Sequence, residues 1–140
     1  MRKEAKKILR NLEFGKDGYF FVYDYTGMNV AHPKKPQLEG RKLWDLQDSN
    51  GTYLIQSLIE QARNPEGGYT NYIWDKPSKG REVGKIGYSM SLNNWKWMVG
   101  TGLYIDDLED AVAGIESEVK DNITGTLKMI AGLALACTLF

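Results

Sequence analysis

Three short runs rich in aromatic and β-branched residues, between Thr70 and Tyr104, constrain the fold of this chain most strongly. The runs cover residues 70–75, 85–92 and 95–104, and segments containing Pro, Gly and Asn separate them. Such runs predict the strands of an antiparallel sheet. Because successive strand residues point to opposite faces, Thr70, Tyr72 and Trp74 share one face. We expect this sheet to pack a helix on one face and to hold a small polar ligand on the other.

The N-terminal part of the chain predicts a helix followed by a β-hairpin. Residues 1–13 are mostly helix formers, with apolar residues at helical spacing. Residues 18–24 read as a strand buried on both faces, and residues 28–32 should pair back after a turn at Thr26 and Gly27. Pro33 then ends the second strand, because proline cannot donate to a sheet.

A loop and a second helix are predicted between the hairpin and the three runs. Residues 34–48 form the loop, and Asp48 or Ser49 is placed to cap the start of the helix. One apolar stripe follows at helical spacing, and it consists of Leu54, Ile55, Leu58, Ile59 and Ala62.

From Asp106 onward the sequence predicts a long helix. Its apolar residues recur at intervals of three and four, and they are Ile105, Leu108, Val112, Ile115 and Val119. This is the spacing of a coiled-coil seam, and it equally fits an amphipathic helix packed on the sheet. Both interpretations stay open, and each could hold for a different part of the helix.

The last stretch, residues 129–140, is apolar and uncharged throughout. A membrane-spanning helix needs about 20 such residues, and here there are twelve. We expect this stretch to be the first half of a transmembrane segment rather than a buried core helix. On this interpretation the sequence is cut short at both ends.

Composition excludes several classes of function. Eighteen basic residues balance eighteen acidic ones, so no basic patch for nucleic acid is indicated. With one cysteine, Cys137, and one histidine, His32, the chain cannot build a disulfide or a four-ligand zinc site. We find no phosphate-binding loop and no strong catalytic constellation, and we assign no catalytic residue, metal or cofactor.

His32 and Lys85 are the charged or titratable candidates for a ligand site. His32 follows the second predicted strand, and Lys85 opens a later one. If Lys85 points inward, its ammonium suits a carboxylate anion. Each also has an ordinary structural alternative, a buried histidine and a solvated lysine. The aromatic candidates for the pocket wall, which could equally be core residues, are Tyr19, Tyr23, Tyr72, Trp74 and Tyr88.

Several segments in order resemble a known family. These segments are residues 18–24, 32–33, 38–40, 48–51, 72–77, Lys85 with Tyr88, and 95–107. Over Phe14 to Leu108 the sequence is similar to the single Cache domains of type 2, which are extracytoplasmic sensor domains of methyl-accepting chemotaxis proteins and sensor histidine kinases. Single motifs are weak, whereas the ordered set is specific.

The resemblance implies an α+β, PAS-like fold with a central antiparallel sheet of about five strands flanked by helices. A long C-terminal helix would lead into a membrane segment. The corresponding parts are a remnant of an N-terminal helix (1–13), the sensor domain (14–108), an exit helix (109–128) and the start of a transmembrane helix (129–140).

The resemblance also implies a ligand class and a cellular location. Family members bind short carboxylates such as acetate, propionate, pyruvate or lactate. His32, Lys85 and tyrosine hydroxyls would hold the carboxylate, while Trp74 and Tyr88 would close over its apolar tail. We therefore expect a homodimeric sensor domain that faces the periplasm or the exterior and is anchored in the inner or plasma membrane.

Three alternatives remain from the sequence. The first is a soluble enzyme that uses His32 with a nearby acid. The second is a structural dimerisation module without a ligand, in which the tyrosines belong to the core. The third is a PAS-type sensor that binds haem or flavin through His32.

Overall fold

The computed structural model describes residues 1–138, and its N-terminal part begins with a helix and a two-stranded ribbon. Helix α1 spans Arg2–Asn11, and strands β1 (Glu13–Phe14) and β2 (Gly18–Tyr19) pair antiparallel. The predicted strand over residues 18–24 is thus interrupted at Phe20. Its first two residues pair with β1, and only the rest joins the main sheet.

The main sheet has five antiparallel strands, as predicted. They are β3 (Phe21–Asp24), β4 (Asn29–Ala31), β5 (Gly68–Lys76), β6 (Arg81–Leu92) and β7 (Trp97–Tyr104). Their order across the sheet is β4-β3-β7-β6-β5, so β7 lies in the centre and joins the two hairpins. The confirmed hairpin connections are the turn around Gly27 and the Pro77–Gly80 segment between β5 and β6.

Helix α2 (Leu54–Ala62) packs on one face of this sheet, called the inner face below. All five residues of its predicted apolar stripe are buried there. Two hydroxyl groups of β6 fasten the helix to the sheet, because Ser89 donates to the Leu58 carbonyl and Ser91 to the Ala62 carbonyl, each at 2.7 Å. The main core therefore lies between α2 and the inner face.

The opposite face of the sheet carries a smaller apolar cluster. Val22, Ala31 and Trp97 are buried in it, and Ala5 and Leu9 of α1 pack against them. The alternation along the strands separates this cluster from the main core, since Val22 points to one face and Phe21 and Tyr23 to the other.

Asp48 does not cap α2, which corrects the prediction. The helix begins six residues later, at Leu54, and its N-cap is Tyr53. The Asp48 carboxylate instead accepts hydrogen bonds from the backbone N–H groups of Thr52 (2.8 Å) and Ile73 (2.8 Å). An Asp side chain can accept hydrogen bonds from any backbone N–H group nearby. Here Asp48 links the loop to β5.

Helix α3 spans Ile105–Thr138, and from Asp106 the chain forms a second unit. None of its described residues is buried. Within residues 1–138 we find no helix with an apolar stretch long enough to cross a membrane. Leu139 and Phe140, the last residues of the predicted transmembrane segment, lie outside the described residues.

Three glycines form the middle of the inner face, and we call them the glycine floor: Gly87, Gly100 and Gly102. Each has a long side chain lying directly over it. A Cβ atom on Gly102 would come within 2.9 Å of Lys85 Cε, and one on Gly87 within 2.8 Å of the Tyr72 ring. The Phe21 ring covers Gly100 in the same way. The glycine floor thus lets these side chains lie flat against the sheet.

Gly87→Ala should destabilise the domain by about 1–3 kcal/mol, because the added methyl group overpacks a filled space. The new Cβ would meet both Tyr72 and Leu58. Urea denaturation measures the change. Asn71→Ala, at an exposed position of the neighbouring strand, is the control and should shift stability by no more than about 0.5 kcal/mol. Equal stability of Gly87→Ala and the parent chain would contradict close packing over the floor.

Candidate ligand-binding site

A small cavity lies between the inner face of the sheet and α2. It is lined by Tyr19, Phe21, Tyr23, His32, Leu54, Ile55, Leu58, Tyr72 and Trp74. The sequence suggested a helix on one face of the sheet and a ligand site on the other. The cavity and α2 share the inner face, because the rings that lie over the glycine floor leave a gap beneath the helix.

The space inside the cavity is very small. The volume open to the centre of a water molecule is about 10 Å³, which is close to the minimum that one water requires. A ligand of two or three carbons therefore needs at least one lining side chain to turn aside.

His32 is a neutral hydrogen-bond donor in this wall. It is 2% exposed and contacts the rings of Tyr19 and Trp74, with centroids 5.1 and 5.8 Å away. Burial, together with the positive charge of Lys85, lowers the pKa of His32 to about 3. Its Nδ1 accepts the backbone N–H of Lys35 at 3.1 Å. The imidazole proton is thereby assigned to Nε2, which leaves that atom as the donor.

Lys85 is buried beside the cavity without an opposite charge in contact. Only 1% of it is exposed. Its ammonium lies 4.1 Å from the Tyr19 ring centre, 4.9 Å from that of Tyr104 and 5.5 Å from that of Phe21. Among residues 1–138 no carboxylate forms a salt bridge with it. Burial lowers the pKa of Lys85 to about 7, and the negative charge of Asp17 opposes this shift.

Tyr19 separates the Lys85 ammonium from the cavity, since its ring touches both. Its hydroxyl is buried and has no hydrogen bond of full geometry within residues 1–138, although the Tyr104 hydroxyl and the Trp74 indole lie close to it. Burial raises the pKa of Tyr19 strongly, and the nearby hydroxyls of Tyr104 and Tyr72 add to the effect. The hydroxyl therefore stays protonated and can donate a hydrogen bond to a bound ligand.

Tyr23 and Tyr72 are the other two tyrosines that line the cavity. Burial raises the pKa of Tyr23 to about 12 and that of Tyr72 well above its ordinary value, so both hydroxyls remain neutral. Asn29 lies beside Tyr23 in the paired strand, and both of its buried amide atoms lack a hydrogen-bond partner within residues 1–138. Strand β4 has only three residues, so its sequence pattern could not predict that Asn29 lies beside Tyr23.

Trp74 covers the cavity from the edge strand β5, and Lys35 holds it in place. The Lys35 ammonium lies 5.2 Å from the centre of the Trp74 ring and forms an ion pair with Asp75. Because Lys35 also donates its backbone N–H to His32, the loop after β4 is joined to β5 across the cavity.

Tyr88 is not brought to this site. It lies on the face of β6 opposite to the inner face, contacts the Tyr69 ring of β5 at a tilted angle, and donates its hydroxyl to the Glu66 carbonyl. The expectation that Tyr88 closes over the ligand together with Trp74 does not fit this geometry. Lys85 and Tyr88 are three residues apart in one strand, so they point to opposite faces.

Two contributors near the site were missed, Asp17 and Tyr104. Asp17 is buried in the turn before β2, where the sequence shows only a glycine-flanked turn. Tyr104 ends β7 and lies against Lys85, and its hydroxyl donates to the Asp75 carbonyl at 2.6 Å. The site combines a neutral imidazole, several neutral hydroxyls and one ammonium around a small apolar gap. This combination suits an anion with a short apolar tail.

Comparison with known proteins places this geometry in a family. The family model described as Single Cache domain 2 matches residues 1–118. The sensor histidine kinase MctS of Rhizobium johnstonii is 40% identical over 130 residues, which are 93% of this chain and 28% of that protein. The chain spans about a quarter of the length of the curated relatives it matches.

Solved structures agree with the family match. A methyl-accepting chemotaxis protein from Vibrio parahaemolyticus is 43% identical with a TM-score of 0.72, over 76% of this chain and 71% of that one. A Cache chemosensory domain, whose structure is described as the basis for its carboxylic acid recognition, is 27% identical with a TM-score of 0.70. That match covers 74% of this chain and 71% of the other.

Lys85→Met should stabilise the ligand-free protein, because a buried ammonium without a contacting counter-charge is costly. We expect a gain of roughly 1–4 kcal/mol, the range seen when buried ions are replaced by apolar residues of similar volume. Urea denaturation of both chains at one pH below 7 measures it. A lower stability of Lys85→Met would contradict the cost assigned to the ammonium.

The same pair of chains should differ in pH dependence. Below about pH 7 Lys85 is charged in both the folded and unfolded states. Between this value and its ordinary pKa of 10.5 only the unfolded state retains the proton, so the free energy of unfolding rises with pH. Lys85→Met should lack that rise, and parallel pH profiles of the two chains would argue against it.

Proposed function

Since this chain belongs to the single Cache domain 2 family, we propose that it is the extracytoplasmic sensor domain of a bacterial transmembrane receptor and binds a short carboxylate. Cache sensor domains of this kind occur in chemotaxis receptors and histidine kinases. The proposed role of the domain is ligand binding rather than catalysis, and which output domain follows it is left open.

The observation that carries the proposal is the set of unused donors around one cavity. The Lys85 ammonium lacks a salt-bridge partner within the described residues, and the Tyr19 hydroxyl lacks a hydrogen bond of full geometry there. The Nε2–H of His32 belongs to the same wall. Buried donors without acceptors are unfavourable, so an anion that accepts from all three relieves their cost at once.

Lys85, which lies behind Tyr19, and the lining residues then have distinct roles. Lys85 supplies the positive charge, while Tyr19 and His32 donate hydrogen bonds to the carboxylate oxygens. Trp74 and Phe21 enclose the apolar tail, and Tyr23 and Tyr72 limit its length. The ligand-free cavity holds about one water, so the proposed ligands are the smallest acids, acetate, propionate, pyruvate and lactate, and each requires at least one lining side chain to turn aside. Support also comes from the similar chemosensory domain, which is described as recognising carboxylic acid.

Tyr104 offers a direct link from the site to α3. Its ring contacts Lys85, and Ile105, the next residue, begins the helix. A carboxylate that draws the ammonium toward the cavity changes this contact. The change acts as a signal only if the ligand binds one conformation of the helix start better than the other.

We assign membrane anchoring and dimerisation to α3. Three of its apolar residues at coiled-coil spacing, Val112, Ile115 and Val119, are at least half exposed, while Ile105 and Leu108 are half-buried. A seam of this kind is normally covered by a second helix. The partner proposed is a second copy of this chain, which gives a homodimer anchored in the inner or plasma membrane with the sensor domain outside the cytoplasm.

Binding is tested by thermal shift of the full chain with acetate, propionate, pyruvate and lactate. A ligand at a hundredfold excess over its dissociation constant should stabilise the fold by about 2.7 kcal/mol. Affinity should fall as pH rises above about 7, because the carboxylate must then restore the proton of Lys85. His32→Ala and Lys85→Ala should each weaken binding about tenfold or more.

Tyr88→Phe is the matched control for that experiment. Tyr88 is aromatic and belongs to the same strand as Lys85, but it lies on the face opposite to the inner face. Its variant should bind like the parent chain. If none of the four acids raises the melting temperature of the folded protein, the proposed ligand class is wrong.

The double substitution Leu108→Asp/Val112→Asp should abolish the dimer, because two carboxylates on the seam would repel their copies across the interface. Sedimentation velocity measures the assembly state. Ser117→Asp introduces one carboxylate away from the seam and should leave dimers intact. A double variant that sediments as the parent does would count against the α3 interface.

A further inference from the structure

The Asn29 side chain is a buried polar group with no role in the site described so far. Asn29 is 1% exposed, and neither its Oδ1 nor its Nδ2 has a hydrogen bond of full geometry within residues 1–138. Its backbone is paired with the loop after β4, since its N–H donates to the Arg41 carbonyl at 2.9 Å and its carbonyl accepts from the Gly40 N–H at 2.8 Å. The residue is thus held in place, while its amide keeps an unused donor and an unused acceptor.

A β-bulge in β4 turns Asn29 toward the cavity. The register with β3 shifts between Val22 and Tyr23, so that β4 carries one extra residue, Val30, at this point. Residues three apart in a regular strand point to opposite faces, so without the bulge Asn29 would point away from the face that holds His32. With the bulge, Asn29 lies opposite Tyr23 and shares the inner face with it. Bulges often direct a side chain in this way beside a functional site.

The Asn29 amide lies beside the Tyr23 hydroxyl, and we call these two groups the polar end of the site. Side chains opposite each other on antiparallel strands have Cβ atoms about 4.5–5.5 Å apart. Burial raises the pKa of Tyr23 to about 12, and the nearby Asn29 amide opposes that rise. Tyr23 itself lines the cavity. Phe21 separates the polar end from Tyr19, because its ring centre lies 6.3 Å from that of Tyr19 and 6.2 Å from that of Tyr23.

A hydroxyl group on the ligand suits the polar end. It can accept from the Asn29 amide nitrogen and donate to the amide oxygen or to the Tyr23 oxygen. A methyl group in the same place leaves the amide buried without a partner, which is unfavourable. Because the cavity is very small, the ligand is short, and the hydroxyl that reaches the polar end is the one on the carbon next to the carboxylate.

We propose that Asn29 and Tyr23 are specificity-determining residues, which bind the hydroxyl of a 2-hydroxy acid and so favour such acids over those with a plain alkyl tail. The inference rests on the proposed carboxylate site and narrows its ligand class. The carboxylate is held by Lys85, Tyr19 and His32, and the polar end receives the hydroxyl. A site built to pair with a ligand hydroxyl discriminates strongly against the analogue that lacks it.

The test compares acids of equal size that differ by one hydroxyl in place of one methyl group. Isothermal titration calorimetry on the full chain measures glycolate against propionate, and lactate against isobutyrate. The parent chain should bind the hydroxy acid of each pair about tenfold or more tightly than its partner. If a water molecule satisfies Asn29 whichever acid is bound, glycolate and propionate bind equally, and that result overturns the inference.

Asn29→Leu assigns the preference to the amide. Leucine has a similar size and no polar atom, so glycolate should lose about tenfold in affinity while propionate binds as it does to the parent chain. The ligand-free variant should also melt at a higher temperature, because a buried amide without a partner has been removed. Tyr23→Phe removes only the hydroxyl and should reduce the same preference. Retained affinity for propionate separates these effects from loss of the fold.

Thr70→Val is the matched control. The Thr70 hydroxyl is also buried without a partner within residues 1–138, on β5, but Thr70 is not among the residues that line the cavity. Its variant should likewise melt at a higher temperature and should keep the parent's ratio of glycolate to propionate affinity. If no acid binds the folded parent chain, the proposed function itself fails. If propionate binds and Asn29→Leu shows the parent's ratio, only the role of Asn29 is overturned.

Discussion

The burial of the Lys85 ammonium against aromatic rings, without a carboxylate in contact, is the interaction on which this site depends. It is possible only because the glycine floor leaves room for a lysine side chain to lie along the sheet. Burying an ion costs several kcal/mol, which is a large part of the 5–15 kcal/mol that stabilises a typical domain. The core beneath α2, with five buried apolar residues from that helix alone, offsets this cost at about 1.5–3 kcal/mol per large side chain.

Local periodicity predicted the helices and strands well. Where an element began or ended elsewhere than predicted, pairing with another segment of the chain is the reason. The strands β5 to β7 and the buried stripe of α2 follow from side-chain alternation and helical spacing, which are local properties. The break at Phe20 follows from the pairing of β2 with β1, a neighbouring strand of only two residues. The later start of α2 follows from a distant partner, since Asp48 accepts from Ile73, 25 positions away. Tyr88 is different, because alternation alone already places it on the opposite face from Lys85.

The site could be predicted only in part for the same reason. His32, Lys85 and the tyrosines on β2, β3 and β5 attract notice as polar or aromatic residues in a strand-rich sequence. Asp17 does not, because its carboxylate accepts the backbone N–H of Ser78, which is 61 positions away, and its charge acts on Lys85 of another strand. A residue in a glycine-flanked turn is normally solvated, and only the closure of the β1–β2 ribbon over the end of β5 buries it.

In the proposed function, recognition and signalling would involve the same side chains. The Lys85 ammonium rests on Tyr104, whose neighbour Ile105 begins α3. On the other side of the cavity, the backbone N–H of His32 donates to Glu39, which also pairs with Arg10 of α1. A ligand that engages both Lys85 and His32 therefore acts on the contacts of two helices at once. Because a ligand shifts an equilibrium only through a difference in affinity between states, a site that binds through these two residues would couple affinity to helix position only where the two helix positions place Lys85 or His32 differently.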